Sequence, residues 1–233
     1  MKKPLVAALL ALAICGTATA GGLSIVDNIG GTWIDISGSG LPLNLSDDGE
    51  VNFMTAIGNS VFAAGIIRIG SNGAVRFGGV GTQLGFTNAP IPSSALFSLT
   101  SQSLAVFWDD INTSGGANGN IYVEDVGGTL VIQWQDVDFF GGGLDTTTFQ
   151  IQVNSSGHLA QFLYLDVEDA RAGGGVSATI GYQDGLAGFN DFQWSFNMGA
   201  AVSNGTVLTL VPAPGAMALL GLGGLVARRR RRR

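Results

Sequence analysis

Apolar and polar residues alternate in short runs along the chain, and most runs end at a cluster of turn residues. Between Gly21 and Leu210 no long stretch repeats with the 3.6-residue period of an amphipathic helix. The runs predict single strands at 32–36, 104–108, 177–182, 192–196 and 206–210, and hairpins at 65–77 around Asn72-Gly73, at 121–125 with 129–137, and at 147–153 with 159–167. The segment 104–108 is apolar throughout and is predicted to be buried on both faces. About a dozen short strands of this kind predict an all-β, antiparallel β-sandwich.

Composition narrows this picture to one turn-rich domain. The chain has 233 residues, of which 46% are apolar, so it can build a substantial core and general disorder is excluded. Glycine accounts for 37 residues, about twice the usual share of roughly 7%. The glycines follow no three-residue repeat, which excludes collagen, and glycine disfavours long helices. We therefore expect a single strand-rich body at residues 21–210.

Charge is distributed unevenly between this body and the two ends of the chain. Of the 11 basic residues, Lys2 and Lys3 lie at the start and six arginines close the sequence, so the body keeps only Arg68, Arg76 and Arg171. All 17 acidic residues lie in the body, which gives it a net charge of −14. A surface of this sign repels phosphate backbones, so nucleic acid is excluded as a partner.

The first 20 residues have the three parts of a secretory signal peptide. Lys2 and Lys3 form a positive start, residues 5–14 form a short apolar run, and Ala18 and Ala20 form an A-x-A cleavage site. An anchor helix is the alternative, but it needs about 20 apolar residues. Cys15 leaves open a lipoprotein interpretation as well. Because Cys15 is the only cysteine, a body released after Ala20 has neither disulfides nor thiolate metal ligands.

The last 23 residues also form a three-part signal. A short proline motif comes first, then a 13-residue apolar stretch at 215–227, then a block of arginines. As a helix the apolar stretch would extend about 20 Å, less than the ~30 Å hydrocarbon core of a bilayer. The arginines are expected to stay on the cytoplasmic side. The motif residues are Val211, Pro212, Ala213 and Pro214, and the arginines are Arg228, Arg229, Arg230, Arg231, Arg232 and Arg233.

This order of elements resembles the PEP-CTERM sorting signal of bacterial surface proteins, with Pro-Ala-Pro in place of the more usual Pro-Glu-Pro. The resemblance covers residues 211–233. It implies export through the Sec machinery and recognition by an exosortase, a membrane-embedded cysteine transpeptidase. It also implies transient membrane insertion of the apolar helix, then release or attachment at the cell surface. Such proteins are often linked with exopolysaccharide and biofilm formation, so exopolysaccharide is a further expected partner.

A second resemblance covers the body, from about residue 41 to residue 184. It rests on the order of several motifs. These are SNG at 71–73, VRFG at 75–78, NAPIP at 88–92, FWDDI at 107–111, VIQW at 131–134, FQIQV at 149–153 and ATIGYQ at 178–183. These are similar to the nidogen-like extracellular domain found in bacterial surface proteins. The resemblance implies an extracellular β domain. The chain lacks the disulfides and accompanying modules of animal nidogens, so their matrix partners are not carried over.

Residues suited to catalysis are few. His158 is the only histidine and lies in a polar turn, so neither a nucleophilic triad nor a histidine-based zinc site is expected. A glycoside hydrolase needs only two carboxylates. The candidate pairs are Asp109 with Asp110 and Asp166 with Glu168. Adjacent strand residues face opposite sides, so the first pair is expected to cap turn amides rather than line a cleft.

Two acidic loops are candidates for binding calcium. The first carries Asp47, Asp48 and Glu50, and the second begins at Asp109 and Asp110. Carboxylate oxygens are the ligands that Ca²⁺ prefers, although neither loop has the EF-hand spacing. Ordinary turn chemistry is the alternative for both loops.

These features predict an exported structural or adhesive protein without enzymatic activity and, calcium aside, without a cofactor. The alternatives are a calcium-dependent carbohydrate-binding module and a secreted two-carboxylate glycoside hydrolase. Trp33, Trp108, Trp134 and Trp194 are candidates for stacking on sugars. Trp108 and Trp134 lie in apolar runs and are predicted to belong to the core instead.

Overall fold

The computed structural model describes residues 23–27, 30–78, 83–93, 102–113, 119–141, 146–156, 159–168, 173–185 and 191–212. These residues form strands, turns and bends, and they include no helix, which confirms the predicted all-β class. Accordingly, no helix of the described residues is long and apolar enough to cross a membrane. The predicted signal helix, the predicted apolar helix at 215–227 and His158 lie outside the described residues.

The strands of the described residues form two antiparallel sheets packed face to face. In chain order they are β1 Leu23–Asp27, β2 Leu41–Pro42, β3 Glu50–Thr55, β4 Gly65–Gly70, β5 Ala74–Phe77, β6 Ser103–Trp108, β7 Ile111–Asn112, β8 Asn120–Val126, β9 Thr129–Phe139, β10 Thr146–Asn154, β11 Ala160–Asp166, β12 Thr179–Gln183, β13 Phe192–Phe196 and β14 Val207–Pro212. The eight-stranded sheet has the order β1-β14-β11-β10-β9-β8-β2, with β7 beside β9, and the six-stranded sheet has the order β13-β12-β6-β5-β4-β3.

The three predicted hairpins are confirmed as β4–β5, β8–β9 and β10–β11. The apolar strand β6 is buried on both faces, also as predicted. Four strands escaped prediction, namely β1, β2, β3 and β7. Two of them, β2 and β7, have only two residues each, and two residues cannot show an alternating pattern of apolar and polar side chains.

The core between the sheets is apolar, and two buried polar side chains link one sheet to the other. Trp134 stacks on Phe149 with ring centroids 5.0 Å apart, and its Nε1 donates to the carbonyls of Gly70 and Ser71 at 3.2 Å. The Tyr164 hydroxyl donates to the Val106 carbonyl at 2.7 Å, and burial raises the pKa of this phenol. Each link satisfies a polar group that would otherwise be buried without a partner.

The β4–β5 turn requires one glycine. Gly73 has φ +74°, and a Cβ there would lie 2.1 Å from the Phe107 carbonyl oxygen. Only Gly73 of the predicted Asn72-Gly73 pair takes a positive φ. Asn72 acts through its side chain instead, because its Oδ1 accepts from the Ile111 amide at 2.8 Å and thereby fixes the start of β7.

The prediction of a strand at 32–36 is wrong. These residues belong to a segment, here called the strap (residues 30–40), that crosses the outer face of the eight-stranded sheet. Near its start, a Cβ on Gly31 would lie 2.8 Å from Val207 of β14. At its end, Gly40 packs on Tyr122 of β8. The alternation of Trp33 with Ile34 and Ile36 therefore arises because the segment lies across the face of the sheet, and not because it pairs as one of its strands.

Glutamine side chains of the sheet hold the strap in place. Gln150 donates to the Ile34 carbonyl at 3.1 Å and accepts from the Ile34 amide at 3.4 Å. Gln152 donates to the Thr32 carbonyl at 2.8 Å, and Gln133 accepts from the Ile36 amide at 3.1 Å. The three glutamines are buried. Amide side chains carry both a donor and an acceptor, so they replace the hydrogen bonds that a neighbouring strand would supply.

The outer face of the six-stranded sheet is covered by residues 83–93. Leu84 packs there in a small apolar cluster with Ala74, Ala105 and Trp108. The Trp108 indole donates to the Gly85 carbonyl at 2.9 Å. Part of the outer face of each sheet is thus covered, which explains the continuous burial of strands such as β5 and β6.

Candidate functional site

The two acidic loops identified in the sequence lie side by side. Asp47 and Asp48 form the turn before β3, and Asp110 follows the end of β6. Asn72 joins them, since its Nδ2 donates to Asp48 at 2.9 Å while its Oδ1 accepts from the amide of Ile111. The Thr113 hydroxyl adds a second link by donating to the Leu45 carbonyl at 2.8 Å. The loops are therefore held together by the body of the sandwich.

Three carboxylates converge at this junction. One carboxylate oxygen from each of Asp47, Asp48 and Asp110 lies within 4.8 Å of the others. Asp47 is half-buried, and its Oδ1 is shielded from solvent without a hydrogen-bond partner. Burial, followed by the neighbouring charge of Asp48, raises the pKa of Asp47. Such an arrangement is costly for the free carboxylates and becomes favourable when a cation neutralises them.

The other two predicted ligands lie elsewhere. Glu50 forms an ion pair with Arg68 at 3.2 Å and accepts a hydrogen bond from the Leu84 amide. Asp109 is buried, where it accepts from the Asp110 amide at 2.8 Å and from the Ser177 hydroxyl. Asp109 thus caps a turn, as expected for the start of a loop. The structure brings together Asp47, Asp48 and Asp110 from the five residues predicted as calcium ligands.

The chemistry available at this junction is that of a hard cation site. Three carboxylates offer up to six oxygens, and Ca²⁺ takes 6–8 oxygen ligands in flexible geometry. The sequence could not show the convergence, because Asp110 lies far from Asp47 along the chain. The two meet only because β6 pairs with β5, β5 with β4 and β4 with β3 in one sheet. The one local signal is Asn72, whose turn position places it between the loops.

A separate groove of about 490 Å³ opens at one end of the sandwich. Two of its lining residues, Asp27 and Glu168, carry exposed carboxylates. Glu168 accepts from the Asn204 amide at 3.2 Å. Asp166, which the sequence paired with Glu168, is absent from the residues that line the groove. The other carboxylate that lines the groove is that of Asp27, the last residue of β1.

The tryptophans divide as predicted from their surroundings. Trp108 and Trp134 are completely buried, so they belong to the core and offer no stacking platform. Trp33 and Trp194 are partly buried. The Trp194 indole donates to the Ala201 carbonyl at 3.0 Å, and part of its ring lies at the surface.

The predicted sorting motif begins inside the folded body. Val211 and Pro212 are the last residues of β14, where they pair with Ser24 and Leu23 of β1. Ala213, Pro214 and the arginine block 228–233 lie outside the described residues, as do Ala18 and Ala20 of the predicted cleavage site.

Comparison with known proteins gives one match. A family model described as NIDO related matches residues 26–217. The matched region runs from β1 through the end of β14 and therefore includes both sheets, the strap and the three converging carboxylates. No curated protein and no solved structure matches the chain.

Proposed function

Because the chain belongs to the NIDO-related family, we propose that it is an exported structural or adhesive protein of the cell surface or extracellular matrix. The observation that carries this proposal is the family match at residues 26–217, which spans both sheets. The fold offers supporting features. Its body buries large aromatic side chains between two covered sheets and contains no cysteine. Because such a body has no thiols to form or exchange disulfides, it can stay folded by packing and hydrogen bonding alone in an oxidising extracellular setting.

The proposal includes processing at both ends. The signal peptide is removed after Ala20, and an exosortase recognises the motif at 211–214 together with the arginine block. Mass spectrometry of the protein isolated from the surface of its native host tests this. We expect loss of residues 1–20 and of the arginines. An intact arginine block in mature surface material would contradict exosortase sorting and leave a simple membrane anchor.

The proposal also holds that the protein has no enzymatic activity. In support, Asp109 is occupied by internal hydrogen bonds, and Glu168 holds a backbone amide of the loop at 203–206. The competing hydrolase function is tested with a panel of bacterial polysaccharides. We expect no release of reducing ends. Hydrolysis that is lost in both Asp27→Asn and Glu168→Gln would establish the groove as a catalytic site instead.

A specific observation favours calcium as a stabilising ligand, namely the convergence of Asp47, Asp48 and Asp110. Melting the full chain in calcium chloride and in sodium chloride at matched ionic strength separates specific binding from charge screening. We expect a higher midpoint in calcium, and we expect Asp110→Asn to abolish the difference. Asp27→Asn is the matched control, because it removes the same charge at a residue outside the three converging carboxylates. Equal midpoints in both salts would refute the calcium site.

The pH dependence gives an independent test of the same junction. Asp47 has a raised pKa in the folded protein, so ionising it costs stability as pH rises above the ordinary value of about 3.9. Without calcium, Asp47→Asn should therefore raise the melting midpoint at neutral pH and have no effect near pH 3. With calcium the sign at neutral pH should reverse, because the variant loses a ligand. A variant that is neutral under all these conditions would show that Asp47 is an ordinary turn residue.

A further inference from the structure

Strand β3 ends the six-stranded sheet and leaves one side of its backbone unpaired. It bonds only to β4, and the Ser71 amide donates to the Gly49 carbonyl at 2.8 Å at the start of this pairing. Backbone groups alternate in direction along an antiparallel strand, so Val51, Phe53 and Thr55 face β4. The amides and carbonyls of residues 50, 52 and 54 therefore point away from the sheet. None of them bonds to another backbone group of the described residues.

The other ends of the two sheets differ from β3. Strand β1 contacts β13, so the corresponding ends on the opposite side of the sandwich cover each other. The end strand β2, on the same side as β3, has only two residues and includes a proline, which has no amide to donate. Among the described strands, β3 is the long, unprotected edge.

Apolar side chains flank this edge on both faces. On the outer face Met54 is 66% exposed and lies opposite Ile66, which is 46% exposed. On the inner face Val51 and Phe53 are only partly buried, although they pack against the core. An exposed edge with apolar residues on both faces and no lysine or proline is a surface on which another strand can add.

The distribution of charge favours β3 of a second copy of the chain as the strand that adds to this edge. The body carries a net charge of −14, which opposes self-association on most of its surface. Arg68, one of the two arginines of the described residues, lies on β4 directly beside this edge. Glu50, the single acidic residue of β3, is paired with Arg68. Strands β3 and β4 together therefore carry no net charge, so pairing two copies along β3 brings no unpaired strand charges together.

We propose that the protein forms a symmetric dimer in which β3 of one copy pairs antiparallel with β3 of the other, centred on Asn52. In this register Asn52 faces its own copy, Glu50 faces Met54 and Val51 faces Phe53. No like charges are opposed, and on the inner face the apolar Val51 and Phe53 meet each other. The two six-stranded sheets become one continuous twelve-stranded sheet. This dimer does not depend on calcium or on processing of the tail.

Sedimentation velocity of the full chain in a mild detergent tests the dimer. Met54→Lys places a charge on the edge and should raise the dissociation constant by about tenfold or more. Met198→Lys is the matched control, since Met198 is a methionine of similar exposure, 61%, outside the strands. A dimer weakened only by the first variant supports the proposal. A chain that remains monomeric at about 1 mM, or a dimer that both variants leave unchanged, overturns it.

Two further variants test the register. Asn52→Pro removes an amide that points away from β4, so it should prevent dimerisation while leaving the monomer folded. In a Cys15→Ser background, Asn52→Cys should form a disulfide-linked dimer on mild oxidation, because the paired residues lie about 5.5 Å apart. Met54→Cys, which faces Glu50 rather than itself, should link much more slowly. Equal rates of linking for the two cysteines would rule out pairing centred on Asn52.

Discussion

The two outer faces of the sandwich are both covered, but by different means. On the eight-stranded sheet, glutamines bond to the backbone of the strap, and the amides of Gln133, Gln150 and Gln152 also bond to one another. On the six-stranded sheet, Leu84 of the cover at 83–93 packs with Trp108, and Arg76 is completely buried on the same face. The strap is held mainly by neutral hydrogen bonds from these glutamines. The other cover combines apolar contact with hydrogen bonds, such as those of Gln183 to both the amide and the carbonyl of Ser93.

The difference shows which polar groups a sandwich can bury easily. A neutral amide whose donor and acceptor are both bonded adds little cost, whereas a buried guanidinium is penalised. Burial, and then the nearby charge of Arg68, lowers the pKa of Arg76, while Glu50 opposes that shift. The cover of the six-stranded sheet therefore lies over a buried charge, whereas the strap lies over neutral glutamine amides.

The largest effect is expected where apolar contact holds the cover. Trp108→Ala removes a completely buried indole together with its bond to Gly85. It should lower the free energy of unfolding by about 3–5 kcal/mol, measured by chemical denaturation. Trp33→Ala is the comparison on the strap, where the ring is partly exposed, and its effect should be clearly smaller. Similar losses at the two positions would mean that both covers depend on packing.

An intermediate effect is expected where hydrogen bonds hold the cover. Gln150→Leu leaves the Ile34 amide and carbonyl without their side-chain partner, at a cost of about 1–3 kcal/mol. Gln193→Leu is the matched control, since Gln193 accepts from the Ile91 amide in the other cover but is exposed. Its cost should stay within about 0.5 kcal/mol. If the control costs as much as Gln150→Leu, burial of the amide is not the deciding factor.

The smallest effect is expected for the pH dependence of stability that Asp35, in the middle of the strap, contributes. Asp35 accepts from the Ser37 amide at 2.9 Å and from Gln133 at 3.2 Å, and these bonds lower its pKa, with the Ser37 amide contributing most. A lowered pKa adds stability above the ordinary value of about 3.9, and this is lost as pH falls through the folded value. Asp35→Asn should slightly lower the melting midpoint at neutral pH and match the parent near pH 2. Thermal melts across this range check the prediction, and a pH-independent difference would contradict it.

The sequence predicted the hairpins because their signals are local. Turn residues such as Gly127-Gly128 are flanked by strands of opposite direction, and the apolar run of β6 shows its burial directly. The strap was mistaken for a strand because its alternation is real. Ile36 is buried against the sheet and Asp35 faces solvent, as in a strand, but the hydrogen bonds come from glutamines about 100 residues away. Nothing within 32–36 distinguishes those two sources of hydrogen bonds.

The acidic junction shows the same limit for a site. Composition was sufficient to identify Asp47 and Asp48 in one loop and Asp110 in another as candidates. It could not separate Asp110 from Asp109, because that choice depends on which carboxylate turns toward Ser177. Likewise, composition presented Glu50 and Asp48 as equal candidate ligands, and only the structure shows that Glu50 is paired with Arg68.

The pairing of the first and last strands has a mechanical consequence. Strand β14 lies between β1 and β11 and is antiparallel to both, with residues 207–210 bonded to β11 and residues 208–212 bonded to β1. If the mature protein is held through its C-terminus, a pulling force enters at Pro212 and acts along the axis of β14. The hydrogen bonds on both sides are then loaded in shear and must yield together, rather than opening one after another from an end. A protein attached through its C-terminus therefore receives the pulling force at β14, which is hydrogen-bonded to a strand on each side.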